Sequence, residues 1–269
     1  MHLATQKISI FEKKSLKLTF LGTGTSQGVP VIGCECDICR SADVRDKRLR
    51  TAVLIEVHGK NILIDAGPDF RQQMLRENVK RLDAIIFTHE HKDHIGGLDD
   101  VRAYNFLNQS PMDIYAEQRV QMALRREYSY VFSDNKYPGV PQLMLHDIDE
   151  KAFEVFGIKI IPIRVMHYRL PILGFRIGNL TYITDANYIA DEERNKIFGT
   201  KHLVINALRK EKHISHYTLD EALEFARSCA PQKTYITHLS HHMGLHEEVN
   251  RELPPGVCLA YDGLQIEIT

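Results

Sequence analysis

No apolar stretch in this chain of 269 residues approaches the ~18 residues that a membrane-crossing helix needs; the longest, around Ile158 to Met166, is broken by charge and proline. The opening fifteen residues, MHLATQKISIFEKKS, hold no long apolar centre and no small-residue cleavage site, which argues against a secretory leader. Charge of one sign is also lacking. The 34 Lys and Arg stand against 35 Asp and Glu, a net charge of −1, so no global field draws the chain to nucleic acid, an anionic membrane or an acidic substrate. Linkers, low-complexity segments and tight repeats of about 20–50 residues are missing too. Tryptophan is absent altogether, which excludes little by itself. What remains is a soluble protein, expected in the cytoplasm, and long enough to bury a full core.

Two residue types are in excess. Fourteen histidines are far more than a chain of this length needs, and several are clustered. Of five cysteines, three fall within the six residues from Cys34 to Cys39. An odd, crowded count fits metal binding better than a disulfide framework.

Short strands and turns fill the front half. Leu16 to Leu21 alternates apolar and polar before Gly22-Thr23-Gly24, and Ala52 to Val57 and Ile62 to Ile64 flank His58-Gly59-Lys60-Asn61, a hairpin signal. Phe70 to Glu77 has helical character. Asp83 to Phe87 is continuously apolar after its first residue, as in a strand covered on both faces. A helix is expected from about Leu98 to Leu107. In the back half a strand from Ile158 to Val165 leads to His167, and a turn at Gly178-Asn179 leads to a strand from Leu180 to Thr184, which ends at Asp185. Ile189 to Phe198 reads as helix. Strands His202 to Asn206 and Lys233 to Thr237 flank a helix from Thr218 to Cys229, whose Thr218 and Glu221 form a capping-box pattern. A last hairpin is expected at Asp262-Gly263. Strands alternating with helices in two similar halves predict a single α/β domain over residues 1–269, with layered sheets and helices outside.

The segment THEHKDHIGG places His89, His91, Asp93 and His94 within six residues, directly after the buried strand. Imidazole nitrogens and carboxylate oxygens suit Zn, Mn or Fe. In an extended turn, residues two apart point to one side, so His89 and His91 can chelate one ion, while Asp93 and His94 address a second. Gly96-Gly97 is expected to let the backbone turn sharply beside them. Separately, Cys34-Glu35-Cys36-Asp37-Ile38-Cys39 can wrap one tetrahedral zinc and leaves a vacancy that composition cannot fill.

On these residues the chain resembles the metallo-β-lactamase superfamily, in which THxHxDH is followed by a distant His, an Asp and another His at strand ends. His167, Asp185 and His238 follow in that order, and Asp65 in NILIDAG extends the likeness over nearly the whole chain. The resemblance implies an αββα sandwich of two mixed sheets and a dinuclear site. His89, His91 and His167 would hold the first ion, Asp93, His94 and His238 the second, and Asp185 would bridge them. Asp65 would accept a hydrogen bond from a ligand histidine. An Asp bridge implies hydrolysis of phosphodiesters or thioesters rather than β-lactams.

Within the superfamily, GTG near the start, GCEC-x-x-C and THxSH near the end resemble the phosphoribosyl 1,2-cyclic phosphate phosphodiesterases of phosphonate breakdown. That likeness implies a structural zinc held by Cys34, Cys36, Cys39 and His241 in a loop at 33–40, with Cys229 and Cys258 left as core residues. It implies a metal-dependent phosphodiesterase acting on a small, cyclic ribosyl substrate, with two Mn, Zn or Fe ions generating the attacking hydroxide. Asp93 is counted among the catalytic residues. His216, aligned by TLDEAL in preference to His213, is expected to protonate the leaving oxygen. Arg50, Arg169 and Arg209 are further candidates for phosphate contact. Two regions depart from that pattern, the longer middle around Tyr104 to Pro141 and GTSQGVPVIG, and loops of this kind carry specificity. Competing readings are a tRNA 3′-processing endonuclease, against which the neutral charge weighs, a glyoxalase-like thioesterase or lactonase, and a non-catalytic metal-binding module. A homodimer is left open.

Overall fold

A computed structural model describes residues 15–269; the first fourteen residues, on which the leader reading chiefly rests, lie outside the described residues. Alternation in the sequence becomes a two-faced sheet. In the strand Leu16–Gly22 (β1), Leu16, Leu18 and Phe20 face an inner core, whereas Leu21 faces an outer one. Strands β2 (Ala52–Val57), β3 (Lys60–Ile64), β4 (Ala84–Ile86), β5 (Met112–Ala116) and β6 (Leu143–Asp147) follow in order across this first sheet. The β2–β3 turn is only His58-Gly59, with φ of 51° and 71°. It is tighter than the expected four residues because Lys60 and Asn61 already pair with Val57 and Glu56. Positive φ at both positions matches the twist of the flanking strands. From β3 to β6 the pairing is parallel. Ala84 and Ile86 of β4 point inward and Ile85 outward, all fully buried, which is why this strand reads as one apolar run.

The second sheet runs β7 (Phe153–Val155), β8 (Ile158–His167), β9 (Leu170–Ile177), β10 (Leu180–Tyr182), β11 (His202–Asn206), β12 (Lys233–Thr237) and β13 (Val257–Leu259). The chain then returns to the first sheet as β14 (Gln265–Ile268), beside β1. The hairpin expected at Asp262-Gly263 therefore does not form: the segment crosses from one sheet to the other. Asp262 fixes that crossing, accepting hydrogen bonds from the Thr23 amide and hydroxyl and from the Leu49 amide. Ile268 then seals the inner core.

Phe20, Ile62, Phe175 and Tyr182 fill the space between the sheets. Phe70, Leu98 and Leu124 cover the outer face of the first, and Ile197, Leu219 and Phe225 that of the second. Each such side chain, fully buried, contributes about 1.5–3 kcal/mol. The layers are αββα: two mixed sheets face to face with helices outside. Among the described residues, no helix is long and apolar enough to cross a membrane.

Two helices differ from expectation. Leu98 to Leu107 divides into a 3-10 turn, Leu98–Val101, and a helix, Arg102–Asn108. The helix Asp191–Ile197 is shorter than Ile189 to Phe198. Thr218 caps Leu219–Cys229 as its sequence implies: its hydroxyl accepts from the Glu221 amide at 3.2 Å, and the Glu221 carboxylate accepts from the Thr218 amide at 2.8 Å. Because β8, β10 and β12 run the same way, as do β3 and β4, their carboxyl ends gather at one rim of the sandwich.

Candidate metal centre

Strand ends place the side chains. Asp65 follows β3, His89 to His94 follow β4, His167 closes β8, Asp185 follows β10 and His238 follows β12. Asp65, Asp185 and His238 adopt φ of 65°, 59° and 59°. Left-handed backbone costs a non-glycine residue about 1 kcal/mol or more and is held where surrounding structure demands it. Here it turns each chain end back over the rim.

The ligand atoms of His89, His91 and His167 lie within 4.8 Å of one another, as do those of Asp93, His94, Asp185 and His238. Asp185 connects the groups. Its Oδ2 lies 3.3 Å from His94 Nε2 and its Oδ1 3.1 Å from His238 Nε2, and it also converges with His167 and His216. Hydrogen bonds on the far side of each ring fix which nitrogen faces inward. His94 Nδ1 donates to Asp65 Oδ2 at 2.7 Å, and His167 Nδ1 donates to the Ser215 carbonyl at 2.9 Å. Thr88 spends its hydroxyl proton on Asp65 Oδ2 at 2.8 Å, so its oxygen accepts from His89 Nδ1 at 2.9 Å. Each Nε2 is left as a lone pair aimed into the site.

Those inward atoms test the fit to cations. Nε2 of His89 and of His94 and both ring nitrogens of His238 are buried without a hydrogen-bond partner, a costly state for polar atoms unless something binds them. The electrostatics agree. Burial, with His94 adding to it, holds His89 well below the usual imidazole range. Burial would also lower His94, yet the carboxylates of Asp185, Asp93 and Asp65 drive it well above that range. Asp185 is held far below the carboxylate range, against burial, by His238 and His94. Converging carboxylates thus recruit positive charge, which divalent cations supply directly.

The second cluster is as specific. His241 Nδ1 lies 3.3, 3.4 and 3.5 Å from Sγ of Cys34, Cys36 and Cys39. A tetrahedral zinc with Zn–S of about 2.3 Å and Zn–N of about 2.0–2.1 Å has S···N edges of about 3.5 Å. All five cysteines are free thiols. The Cys39 amide, opposed by burial and helped by His241, lowers the Cys36 thiol to about 6, which favours the ligating thiolate. His241 and His238 share one loop, and that loop is clamped by the GTG segment: Leu239 donates to the Thr23 carbonyl and Thr25 to the Leu239 carbonyl.

His216 is brought to the site and His213 stands behind it. His216 Nδ1 is 3.9 Å from Asp185 Oδ1, buried and unpartnered, and its ring lies against those of His167, His213 and His238. Burial and His238 lower it to about 2, so at neutral pH it is an uncharged imidazole. The candidate arginines separate. Arg50 is ion-paired to Asp69 at 2.9 Å, and Arg209 braces the carbonyls of Glu211 and Lys212. Arg169 instead lines a cleft of about 500 Å3 with His91, His167, Tyr168 and Ile214. Gly96 and Gly97 have φ of −68° and −101°, so left-handed freedom is not their use. Gly97 is needed for close approach: a Cβ there would sit 2.0 Å from the Gly67 carbonyl oxygen. Thr88 and Asn187 were not singled out from sequence. Thr88 had a visible signal, standing between the buried strand and the first histidine. Asn187 had none.

Residues 60–239 match the β-lactamase superfamily domain. The chain belongs to that superfamily. It is similar to a solved diphosphatase of the PhnP family, at 42% identity and a TM-score of 0.89 over 94% of this chain and 97% of the other. An octanoyltransferase of Porphyromonas gingivalis (strain ATCC BAA-308 / W83) is 44% identical over 253 residues, 93% of this chain but 51% of that protein. A ribonuclease Z of Gloeothece citriformis (strain PCC 7424) is 30% identical over 68% of this chain and 52% of its own length. The chain thus spans about half the length of these two curated relatives. The short form of human tRNase Z shares the fold, with a TM-score of 0.67 at 22% identity over 93% of this chain and 98% of the other. Within that superfamily the chain lies close to the PhnP family.

Proposed function

We propose that this hydrolase cleaves a small phosphodiester, of the cyclic ribosyl or diphosphate-linked kind, at a centre built from His89, His91, His167, Asp93, His94, His238 and the bridging Asp185. The observation that carries the reading is the position of Asp185 between two groups of inward-facing lone pairs, and the likeness to a PhnP-family diphosphatase over almost the full chain supports it. When bound, two divalent cations acidify a water and neutralise phosphate charge. The residues do the rest. Asp65, Thr88 and the Ser215 carbonyl hold three imidazoles in the ligating tautomer. Thr184 donates its hydroxyl to Asp185 Oδ2 at 2.6 Å and steadies the bridge. His216, uncharged at rest, would take up a proton beside the anionic phosphate of a bound substrate and pass it to the leaving oxygen. Cys34, Cys36, Cys39 and His241 would hold a structural zinc, which would brace the loop of His238.

The octanoyltransferase name belongs to a protein about twice as long. It is not carried over, since none of the five cysteines joins the His/Asp groups to serve as an acyl acceptor. An RNA substrate is disfavoured by the net charge of −1. The deciding experiment offers metal-loaded protein bis(p-nitrophenyl) phosphate, a ribosyl cyclic phosphate, a thioester and a lactone. Turnover should be confined to the phosphodiesters, and faster cleavage of the thioester or lactone overturns the reading. His216→Ala should cut turnover by about 10²–10⁴-fold with metal content intact. If His213→Ala does so instead, the proton carrier is misassigned.

A further inference from the structure

Glu90 has no part in the centre described above, although it stands between two of its proposed ligands. In extended backbone, successive side chains point to opposite sides, so a turn that sends His89 and His91 inward sends Glu90 outward. There it meets Arg119, in the first turn of the helix Gln118–Glu127, whose Nε lies 3.1 Å from Glu90 Oε1. That Nε and the second carboxylate oxygen, Oε2, are shielded from solvent, and Oε2 has no hydrogen-bond partner. Among the described residues, Arg119 is the one cation in ion-pair contact with Glu90.

The same guanidinium crosses to the second sheet. Arg119 Nη2 donates to the Pro171 carbonyl at 2.7 Å, and Pro171 pairs with Met166, the neighbour of His167, across the β8–β9 hairpin. The tip of that hairpin is pinned separately, with Asn187 accepting from the Tyr168 amide at 2.8 Å and donating to the Ile214 carbonyl at 3.2 Å. A hold on Pro171 is therefore a hold on His167. His89 and His91 come from the first sheet and His167 from the second, with the His91 and His167 ring centroids 5.0 Å apart. Their nitrogens converge only while the two rims keep their spacing. Two other links cross this seam: the Leu173 amide donates to the Thr88 carbonyl at 3.1 Å, and Arg164 of β8 donates to Glu117, just before the helix, at 2.9 Å. Arg119 adds one from within the His89–His91 turn itself. Among the described residues, its polar contacts do not reach Asp93, His94, Asp185 or His238.

We propose that Arg119 is a positioning residue. By holding Glu90 and the Pro171 carbonyl at once, it sets the spacing of His89 and His91 against His167, and so the affinity of that group, but not of the Asp93, His94 and His238 group, for a divalent cation. This rests on the reading of His89, His91 and His167 as one ligand set. Guanidinium suits the task because it is a rigid planar fork that meets two partners at fixed angles, whereas an ammonium is a compact point charge on a flexible stem.

The test titrates Co2+ into metal-stripped protein, follows its visible absorption, and removes each ion with a chromophoric chelator. A thiolate charge-transfer band marks uptake at the cysteine cluster, and His91→Ala and Asp93→Ala show which of the remaining bands belongs to which group. Arg119→Met should weaken the His89, His91 and His167 group about threefold to tenfold and alter its band, with the other group within about twofold. That range lies at or below the low end for partners of metal ligands, because Arg119 acts one residue further out. Glu90→Gln, which keeps the side-chain volume, should do the same, and the double variant should lose little more than either single one. Arg119→Lys should recover part of the loss. If Arg119→Met does not fold, Glu90→Gln and Arg119→Lys decide. Equal weakening of both groups, weakening of neither, or additive losses in the double variant overturns the inference. A wild type that binds no Co2+ through His89, His91 and His167 overturns instead the ligand reading beneath it.

Discussion

Replacing Asp65 with Asn changes almost no volume and replaces no proposed ligand, yet it should loosen the proposed metal centre. Asp65 is surrounded by donors. Oδ2 accepts from His94 Nδ1 at 2.7 Å and from the Thr88 hydroxyl at 2.8 Å, and Oδ1 accepts from the Thr88 amide at 2.9 Å. An asparagine must set its own NH2 against one side. Placed toward His94, it confronts two donors and forces the ring to move its proton to Nε2, which faces Asp93 and Asp185 at 3.3 Å. That nitrogen can then no longer bind a cation. Placed the other way, it collides with the Thr88 amide. A hydrogen bond to a charged group is worth about 1.5–3 kcal/mol, which converts to roughly 10–100-fold in affinity and matches what outer partners of metal ligands contribute elsewhere. The assay is competition with a chromophoric chelator, with circular dichroism to establish that the variant is folded. The His94 group should release its ion first, because His89 meets Asp65 only through Thr88. A folded Asp65→Asn protein that retains every ion at wild-type affinity would show that the tautomer argument is wrong.

Gly67→Ala should reduce metal occupancy and lower the melting temperature together, because the added methyl would lie 2.0 Å from the Asp93 carbonyl oxygen and must displace the turn that carries His91 to His94; metal analysis alongside thermal melts checks this. Cys36→Ser should remove one zinc per chain and cost about 4 kcal/mol or more, as loss of a structural metal typically does, measured by urea unfolding and metal analysis, with unchanged zinc refuting the four-residue site. His246 gives a pH dependence. Burial, then Arg48 and Arg45, depress it from 6.5 to about 4, so the folded state resists its protonation while the unfolded chain does not. Stability should be full above pH 6.5 and fall as pH drops toward 4, by up to about 3 kcal/mol. Asp46 and Asp43 face the same group and temper the effect, and His246→Gln should flatten the slope of melting temperature against pH over that interval.

Some of this molecule was legible because one residue type has one physical use. A continuous apolar run such as Asp83 to Phe87 fits a strand covered on both faces, and Ala84–Ile86 is that strand. Thr218 with Glu221 reads as a cap because the hydroxyl and the carboxylate each meet a helix-end amide, and both bonds form. The histidines of the THEHKDH segment read as candidate ligands because so many imidazoles in one turn have few other uses, and the fold brings them together with His167, Asp185 and His238. What stayed hidden depends on relations that residue identity does not encode. Asp262-Gly263 has the composition of a hairpin turn, but whether a turn joins neighbouring strands or switches sheets is decided by which core the next strand completes. Ser215 fixes the tautomer of His167 through its carbonyl, a group that every residue carries, so no sequence signal could have marked it. The three arginines were equivalent as a list and differ in the fold only through their neighbours: a carboxylate beside Arg50, carbonyls beside Arg209 and, among the described residues, neither beside Arg169. Ligand types are therefore readable from spacing, whereas the tautomers, charge states and free donors that turn ligands into a working centre arise only when distant segments meet.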